Sequence, residues 1–142
     1  MIRLAQKKEN QILTRLWLKS TTLSHPFIPA NFWCRRAKAI EDNYLPQSVT
    51  YVDEEAGEIV GFISFMKKGF IGGLFVAKEQ QRKGIGTLFL NHAKKKFATL
   101  ELDVYVKNKQ ALAFYKQQGF SPTMVHMGAK TGENSFRMRW ER

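Results

Sequence analysis

Leu74-Phe75-Val76-Ala77-Lys78-Glu79-Gln80-Gln81-Arg82-Lys83-Gly84-Ile85-Gly86-Thr87 is the stretch on which the fold turns. An apolar run ends at Val76, a polar and basic loop follows, and two closely spaced glycines open the segment Gly84 to Phe97. Ile85, Leu88, Phe89, His92 and Phe97 recur there at helical spacing. A helix N-terminus leaves about four backbone N–H groups without intrahelical partners. With the positive end of the helix dipole they form an anion site. Gly84 and Gly86 carry no Cβ, so a pyrophosphate can approach the backbone, and Arg82 and Lys83 add charge beside it. The loop is not a Walker A motif, because no glycine is followed at the required spacing by Gly-Lys. It is not a dinucleotide fingerprint either, because Phe89 stands where the third glycine should be.

Upstream, Ile2–Ala5 reads as an opening strand. Glu9 to Leu23 reads as a helix with Ile12, Leu13, Leu16 and Trp17 on one face. Ser24-His25-Pro26-Phe27-Ile28-Pro29 breaks it, because proline cannot continue a helix. Asn31 to Tyr44 reads as a second helix with Phe32, Trp33, Ala37 and Ile40 on its apolar face, ended by Leu45-Pro46. Val49–Asp53, Ile59–Met66 and Phe70–Val76 are β-branched and aromatic runs separated by turn residues, an antiparallel meander. Gly72-Gly73 inside the third run marks either a bulge or mere conformational tolerance.

Downstream, Leu100–Val106 alternates as a strand and Gln110 to Gln118 is a short helix. Phe120–Met127 and Ser135–Trp140 form a hairpin around Gly128–Glu133. The order β-α-α-β-β-β-α-β-α-β-β is a mixed α/β layer fold. Its expected form is one domain over 1–142, a mostly antiparallel central sheet of about seven strands with about four helices on its faces.

Composition is consistent with that. The chain has 142 residues, 44% of them hydrophobic and 13% aromatic, enough for one packed domain. No apolar run approaches the 18 or so residues of a membrane span, and the first ten residues contain no signal-type apolar core. A cytoplasmic protein is expected. The single Cys34 excludes an internal disulfide framework and a multi-cysteine zinc site, and no histidine pair has metal-ligand spacing, so no metal is expected. Lys and Arg number 23 against 12 acidic residues, a formal charge of +11. Such a surface attracts phosphates on nucleic acid, anionic lipid or a cofactor alike. Lys94-Lys95-Lys96 and the arginines leave a basic nucleic-acid-binding module as the alternative function, although no nucleic-acid motif accompanies the charge.

Two motifs together carry a family resemblance. Gln81-Arg82-Lys83-Gly84-Ile85-Gly86 fits Q/R-x-x-G-x-G/A. Asn108-Lys109-Gln110-Ala111-Leu112-Ala113-Phe114-Tyr115-Lys116-Gln117-Gln118-Gly119-Phe120 fits N-x-x-A-x-x-F-Y-x-x-x-G-F. Their order and their separation by one helix and one strand resemble the GNAT N-acetyltransferase superfamily, across essentially the whole chain. Trp17-Leu18-x-Ser20 followed by His25-Pro26-Phe27-Ile28 resembles small bacterial members of the YiaC/YjaB type. Lys78-Glu79 stands where many members have proline, which the chemistry does not require.

The resemblance implies an acetyl-CoA-dependent enzyme that acetylates a primary amine by direct attack in a ternary complex. The amine is a protein lysine, an N-terminal amine or a small amine, with aminoacyl-tRNA as an alternative acceptor. It implies a donor site in which the backbone of Leu74, Phe75 and Val76 pairs with the pantetheine arm. The motif residues Gln81, Arg82, Lys83, Gly84, Ile85, Gly86 and Thr87 surround the pyrophosphate. Asn108 contacts the pantetheine or fixes the splayed strand, Ala111 belongs to the same cofactor-binding set, and Tyr115 stands near the thioester sulfur as the proton donor, unless it merely packs beside Phe114. The protein is expected as a monomer or a homodimer, with no membrane partner.

The acceptor side is less legible. His25 lies in the inter-helix loop, either as a base with a suitable pKa or as a capping and packing residue. Asn31 belongs to the same loop region. Phe70 is either a wall of the acceptor cleft or a core residue. Asp103 shares a strand face with Glu101 and Tyr105, either relaying a proton or serving as a solvated carboxylate. The reaction itself needs a neutral amine. At pH 7 this costs about 4.6 kcal/mol for a lysine and about 1 kcal/mol for an α-amine.

Overall fold

The structure is a computed structural model that describes residues 1–142. Seven strands form one sheet in the order β1-β2-β3-β4-β5-β7-β6. They are β1 (Ile2–Leu4), β2 (Val49–Glu55), β3 (Glu58–Lys67), β4 (Phe70–Val76), β5 (Thr99–Tyr105), β6 (Ser121–Met127) and β7 (Asn134–Glu141). Every pairing is antiparallel except β4 with β5. The helices are α1 (Asn10–Ser24), α2 (Ala30–Cys34), α3 (Ile85–Lys96) and α4 (Lys109–Gln117). The predicted layered fold and its element order are therefore present. No helix is long and apolar enough to cross a membrane.

The sheet separates two cores. On one face, α3 and α4 bury Ile85, Phe89, Leu90, Ala93 and Leu112 against Ile63, Phe65, Ile71, Leu100, Leu102, Val104 and Met138. On the other, α1 and α2 bury Leu13, Trp17 and Trp33 against Val52 and Phe62. The central strand β3 is apolar nearly throughout because it is covered on both faces. In α1 the buried stripe is Leu13, Thr14, Trp17 and Thr21. The predicted face is thus rotated slightly, leaving Ile12 half exposed and Leu16 half-buried.

The expected second helix, Asn31 to Tyr44, is not continuous. The Arg36 guanidinium donates to the Phe32 carbonyl at 2.8 Å and stacks on the Phe32 ring. The Arg36 backbone N–H turns instead to Trp33, one residue short of the helical partner. The chain then runs on as helical turns through Ala37–Ala39, a wider π turn at Ile40–Tyr44 and Leu45–Gln47. Pro46 does not end this run. It follows directly on the π turn, within the last three-residue segment.

β4 and β5 pair at one position only, Phe70 opposite Glu101. The cause lies in the glycines. Ser64 faces Gly73 and Phe65 faces Ile71, so Gly72 is an extra residue on β4 with no partner on β3. This bulge turns β4 so that Ile71 and Leu74, three apart, both pack toward the α3–α4 core. A Cβ at Gly72 would overlap the Tyr44 hydroxyl and come within 2.6 Å of Met66 Cγ. Gly72→Val is accordingly expected to lower stability by about 1–3 kcal/mol, measured by urea denaturation.

Candidate active site

Beyond Phe70 and Glu101 the two strands part, and a cleft of about 860 Å³ opens between them. Its walls are residues 71–76 of β4, residues 102–105 of β5, the C-terminal half of α1, and the starts of α3 and α4. One edge of β4 is paired with β3; the other faces the cleft and pairs with no strand. Unpaired backbone groups need a partner, from water or from a bound chain.

The phosphate loop closes one end. Residues 78–80 form a single 3-10 turn, and Arg82 and Gly84 both take left-handed backbone, φ 67° and 84°. That conformation is uncommon for a residue with a Cβ, and it folds the loop back onto the helix start. Gly84 is the N-cap of α3 and has no side-chain cap. The first intrahelical bond runs from the Leu88 N–H to the Gly84 carbonyl at 3.0 Å, so the N–H groups of Ile85, Gly86 and Thr87 remain free.

The two glycines differ in use. A Cβ on Gly84 would meet nothing within 4 Å, so its role is the left-handed turn and open access. A Cβ on Gly86 would lie 3.0 Å from the Phe114 ring, so its missing side chain lets α3 and α4 approach. Sequence alone had assigned both to ligand clearance. The donors are nevertheless those a diphosphate requires, and the residues present fit the coenzyme A group.

Leu74, Phe75, Val76, Gln81, Arg82, Gly84, Ile85, Gly86, Thr87, Asn108, Ala111 and Tyr115 all line this cleft. Gln81 does so with its amide already engaged, donating to the Val76 carbonyl at 3.0 Å and tying the loop to the strand end. Lys83 is not in the lining; its ammonium bonds Gln80 at 3.2 Å. Tyr115 is half-buried, edge-on to Phe114 and Phe120. Burial pushes its phenol well above the ordinary tyrosine value.

The acceptor-side expectations divide. His25 and Asp103 line the cleft. Asp103 is held by Arg137 at 2.5 Å and lies 3.4 Å from His126, which ties it down as a structural ion pair. Phe70 lies at the closed end, where the strands still pair, between Lys67 and Arg137. It does not wall the opening, because β4 and β5 diverge only after it. Asn31 belongs to a separate shallow recess with Arg35, Arg36 and Lys130, because α2 turns it away from the cleft. Sequence reading missed Tyr105 and Trp33 as cleft residues. They enclose His25, with ring centroids at 5.1 and 5.4 Å. Their aromatic character was visible, but nothing local shows that a strand and a helix bring them together.

The lysine run has internal uses. Lys94, Lys95 and Lys96 occupy the last turn of α3, where cations complement the helix dipole. Lys94 donates to the Gln118 carbonyl at 2.7 Å, and Lys96 lies over Tyr51.

Comparison with known proteins agrees with the geometry. The signature of the acetyltransferase (GNAT) family matches residues 10–120. The peptidyl-lysine N-acetyltransferase YiaC of Escherichia coli is 42% identical over 120 residues, covering 84% of this chain and 82% of that protein. The solution structure of apo-form YjaB from Escherichia coli superposes with a TM-score of 0.87 at 23% identity, covering 99% of this chain and 96% of the other. A PaiA N-acetyltransferase from Thermoplasma acidophilum, in complex with coenzyme A, superposes with a TM-score of 0.82 at 18% identity, covering 100% and 98%.

Gly84→Val forces a branched side chain into left-handed backbone at the anion site. It is expected to weaken coenzyme A binding by at least about tenfold while leaving α3 intact. Gly86→Val is expected to lower thermal stability as well, because it displaces Phe114. Calorimetry beside circular dichroism distinguishes the two variants.

Proposed function

The chain belongs to the acetyltransferase (GNAT) family, and on that premise we propose that it transfers an acetyl group from acetyl-CoA to lysine side chains of proteins, by direct attack within a ternary complex. The observation that carries this reading is the parting of β4 from β5. It leaves one cleft with a phosphate-binding helix start at one end and an aromatic opening at the other. The name of the 42% identical relative, a peptidyl-lysine N-acetyltransferase, supports lysine as the acceptor.

Acetyl-CoA supplies an acyl group on a thiol that leaves without much help, its pKa being about 8.5. The free edge of β4 offers backbone N–H groups to the pantetheine arm and to the oxygen on which negative charge develops. The N–H groups of Ile85, Gly86 and Thr87, with Arg82 beside them, hold the pyrophosphate. Tyr115 stays protonated at every physiological pH. Transfer of its proton to a thiolate is uphill by at least about 2 kcal/mol, since the phenol lies above 10 and the thiol near 8.5. Its hydroxyl therefore acts chiefly by donating a hydrogen bond to the sulfur as charge builds there.

The acceptor must shed its proton, and the cleft holds no free carboxylate to take it. Its two acidic residues are both in ion pairs, Asp103 with Arg137 and Glu79 with Lys19 at 3.8 Å. Solvent at the open mouth takes the proton, so only the small neutral fraction of lysine reacts.

The test is incubation with acetyl-CoA and lysine peptides, read by mass spectrometry for Nε-acetylation. A lysine acceptor is expected to give kcat/KM that climbs about tenfold per pH unit from pH 7 to 9, since the neutral amine does the same below its pKa of about 10.4. A flat profile would mean an α-amine acceptor or an enzymic base. Tyr115→Phe is expected to reduce kcat by about 10- to 10²-fold, the scale of one hydrogen bond to a developing charge, with little change in coenzyme A affinity. Wild-type turnover in that variant would make the hydroxyl structural.

A further inference from the structure

His25 and Asn108 meet across 83 positions of sequence, His25 Nε2 lying 3.4 Å from Asn108 Nδ2. The proton pattern between them is fixed from both sides. His25 Nδ1 is 2.8 Å from the Thr21 carbonyl. A carbonyl can only accept, so Nδ1 carries the proton and Nε2 is left as a bare acceptor. Independently, Asn108 Oδ1 accepts the Ala111 N–H at 3.2 Å and caps α4. That orientation turns the amide nitrogen toward His25, a donor facing an acceptor. Neither constraint depends on the other, and they agree.

The consequence lies in the second N–H of the amide. A carboxamide is planar, so fixing its oxygen on Ala111 and one N–H on His25 fixes the direction of the remaining N–H as well. Asn108 lines the donor cleft. We infer that His25 is a positioning residue: its Nε2 holds the Asn108 carboxamide in the one orientation that aims a free N–H donor at the pantetheine arm. This rests on the proposed reading of the cleft as the acetyl-CoA site.

The surroundings suit that task. From α1 the ring is met by the Thr21 carbonyl and by the hydroxyls of Thr21 and Ser24, at 3.1 and 3.2 Å. From the following loop, α2 and β5 it is met by Phe27, Trp33 and Tyr105. The only titratable group among these is Tyr105, whose phenol burial pushes up, so it stays neutral. Two cations stand one layer out. Lys107 lies over Phe27 and is paired with Glu133 at 3.2 Å, and Arg36 acts on Tyr105. Burial lowers the His25 pKa below its ordinary 6.5. Protonation would set an N–H against the Asn108 amide N–H, and relief by flipping the amide would forfeit the α4 cap.

The sign of the pH dependence follows. His25 is neutral above its depressed pKa, where the link is whole. As pH falls through that pKa the link is lost and acetyl-CoA binding weakens.

The experiment is calorimetric titration of acetyl-CoA into wild type, His25→Phe and His25→Gln, each with and without Asn108→Ser, which keeps a capping oxygen. His25→Phe preserves the aromatic packing and removes the acceptor; it is expected to weaken binding about 3- to 10-fold, the effect of one hydrogen bond. His25→Gln restores an acceptor and is expected to bind within about twofold of wild type, without the loss at low pH. In the Asn108→Ser background His25→Phe is expected to add nothing. Nitrogen NMR of the free protein is expected to show His25 Nε2 unprotonated at pH 7. Unchanged binding in His25→Phe, or an equal loss with Asn108 already removed, overturns the inference while leaving the donor site standing. Failure of the wild type to bind acetyl-CoA overturns both.

Discussion

Two strands that begin as neighbours and then separate set the terms for the rest of this molecule. β4 and β5 pair at Phe70 and Glu101 and nowhere else. Each unpaired backbone group beyond that point would cost about 1–3 kcal/mol if it were both buried and unsatisfied. The split is therefore tolerable only because the gap is open to solvent or to a ligand with its own amides. The site is thus a place where the sheet is left unfinished.

The remaining architecture holds the two halves of the sheet apart without letting either unravel. β1 to β4 form a continuous antiparallel half, and β5, β7 and β6 form the other. The α3–α4 core bridges them beneath the split, with Phe89, Leu90 and Leu112 in one buried cluster that takes in residues of both halves. The α1–α2 core closes the opposite face, chiefly on the β2–β3 side. Large buried apolar contacts on both faces allow one missing ladder between halves. Gly72 supplies the local bend, and Gly86 lets α3 and α4 close up behind the cleft.

Charge is organised on the same plan. The helix start of α3 faces the cleft with free N–H groups, while its lysine-rich last turn points away and is used against Gln118 and Tyr51. Each carboxylate in the cleft faces a cation, Asp103 the Arg137 guanidinium and Glu79 the Lys19 ammonium. The polar contact between His25 and Asn108 joins the loop after α1 to the cap of α4.

The local patterns determined most of the fold. Period-two runs, helical stripes and the glycine-flanked loop place all seven strands, the helix start at Gly84 and a helix from Gln110, which the structure begins at Lys109 with Asn108 as its cap. Both motifs also point to the cleft residues from Leu74 to Thr87 and from Asn108 to Tyr115, because helix N-termini and strand ends are local features. Tertiary structure decided what depends on distant partners. The break after Cys34 comes from a side chain competing for the Phe32 carbonyl. The division of labour between Gly84 and Gly86 depends on where Phe114 falls. Whether Phe70 and Asp103 serve the opening depends on where β4 leaves β5 and on the reach of Arg137 from β7. The tautomer of His25 is set by Thr21 on one side and Asn108 on the other. No sequence pattern contains that pairing, since it requires the whole sheet between them to be folded first.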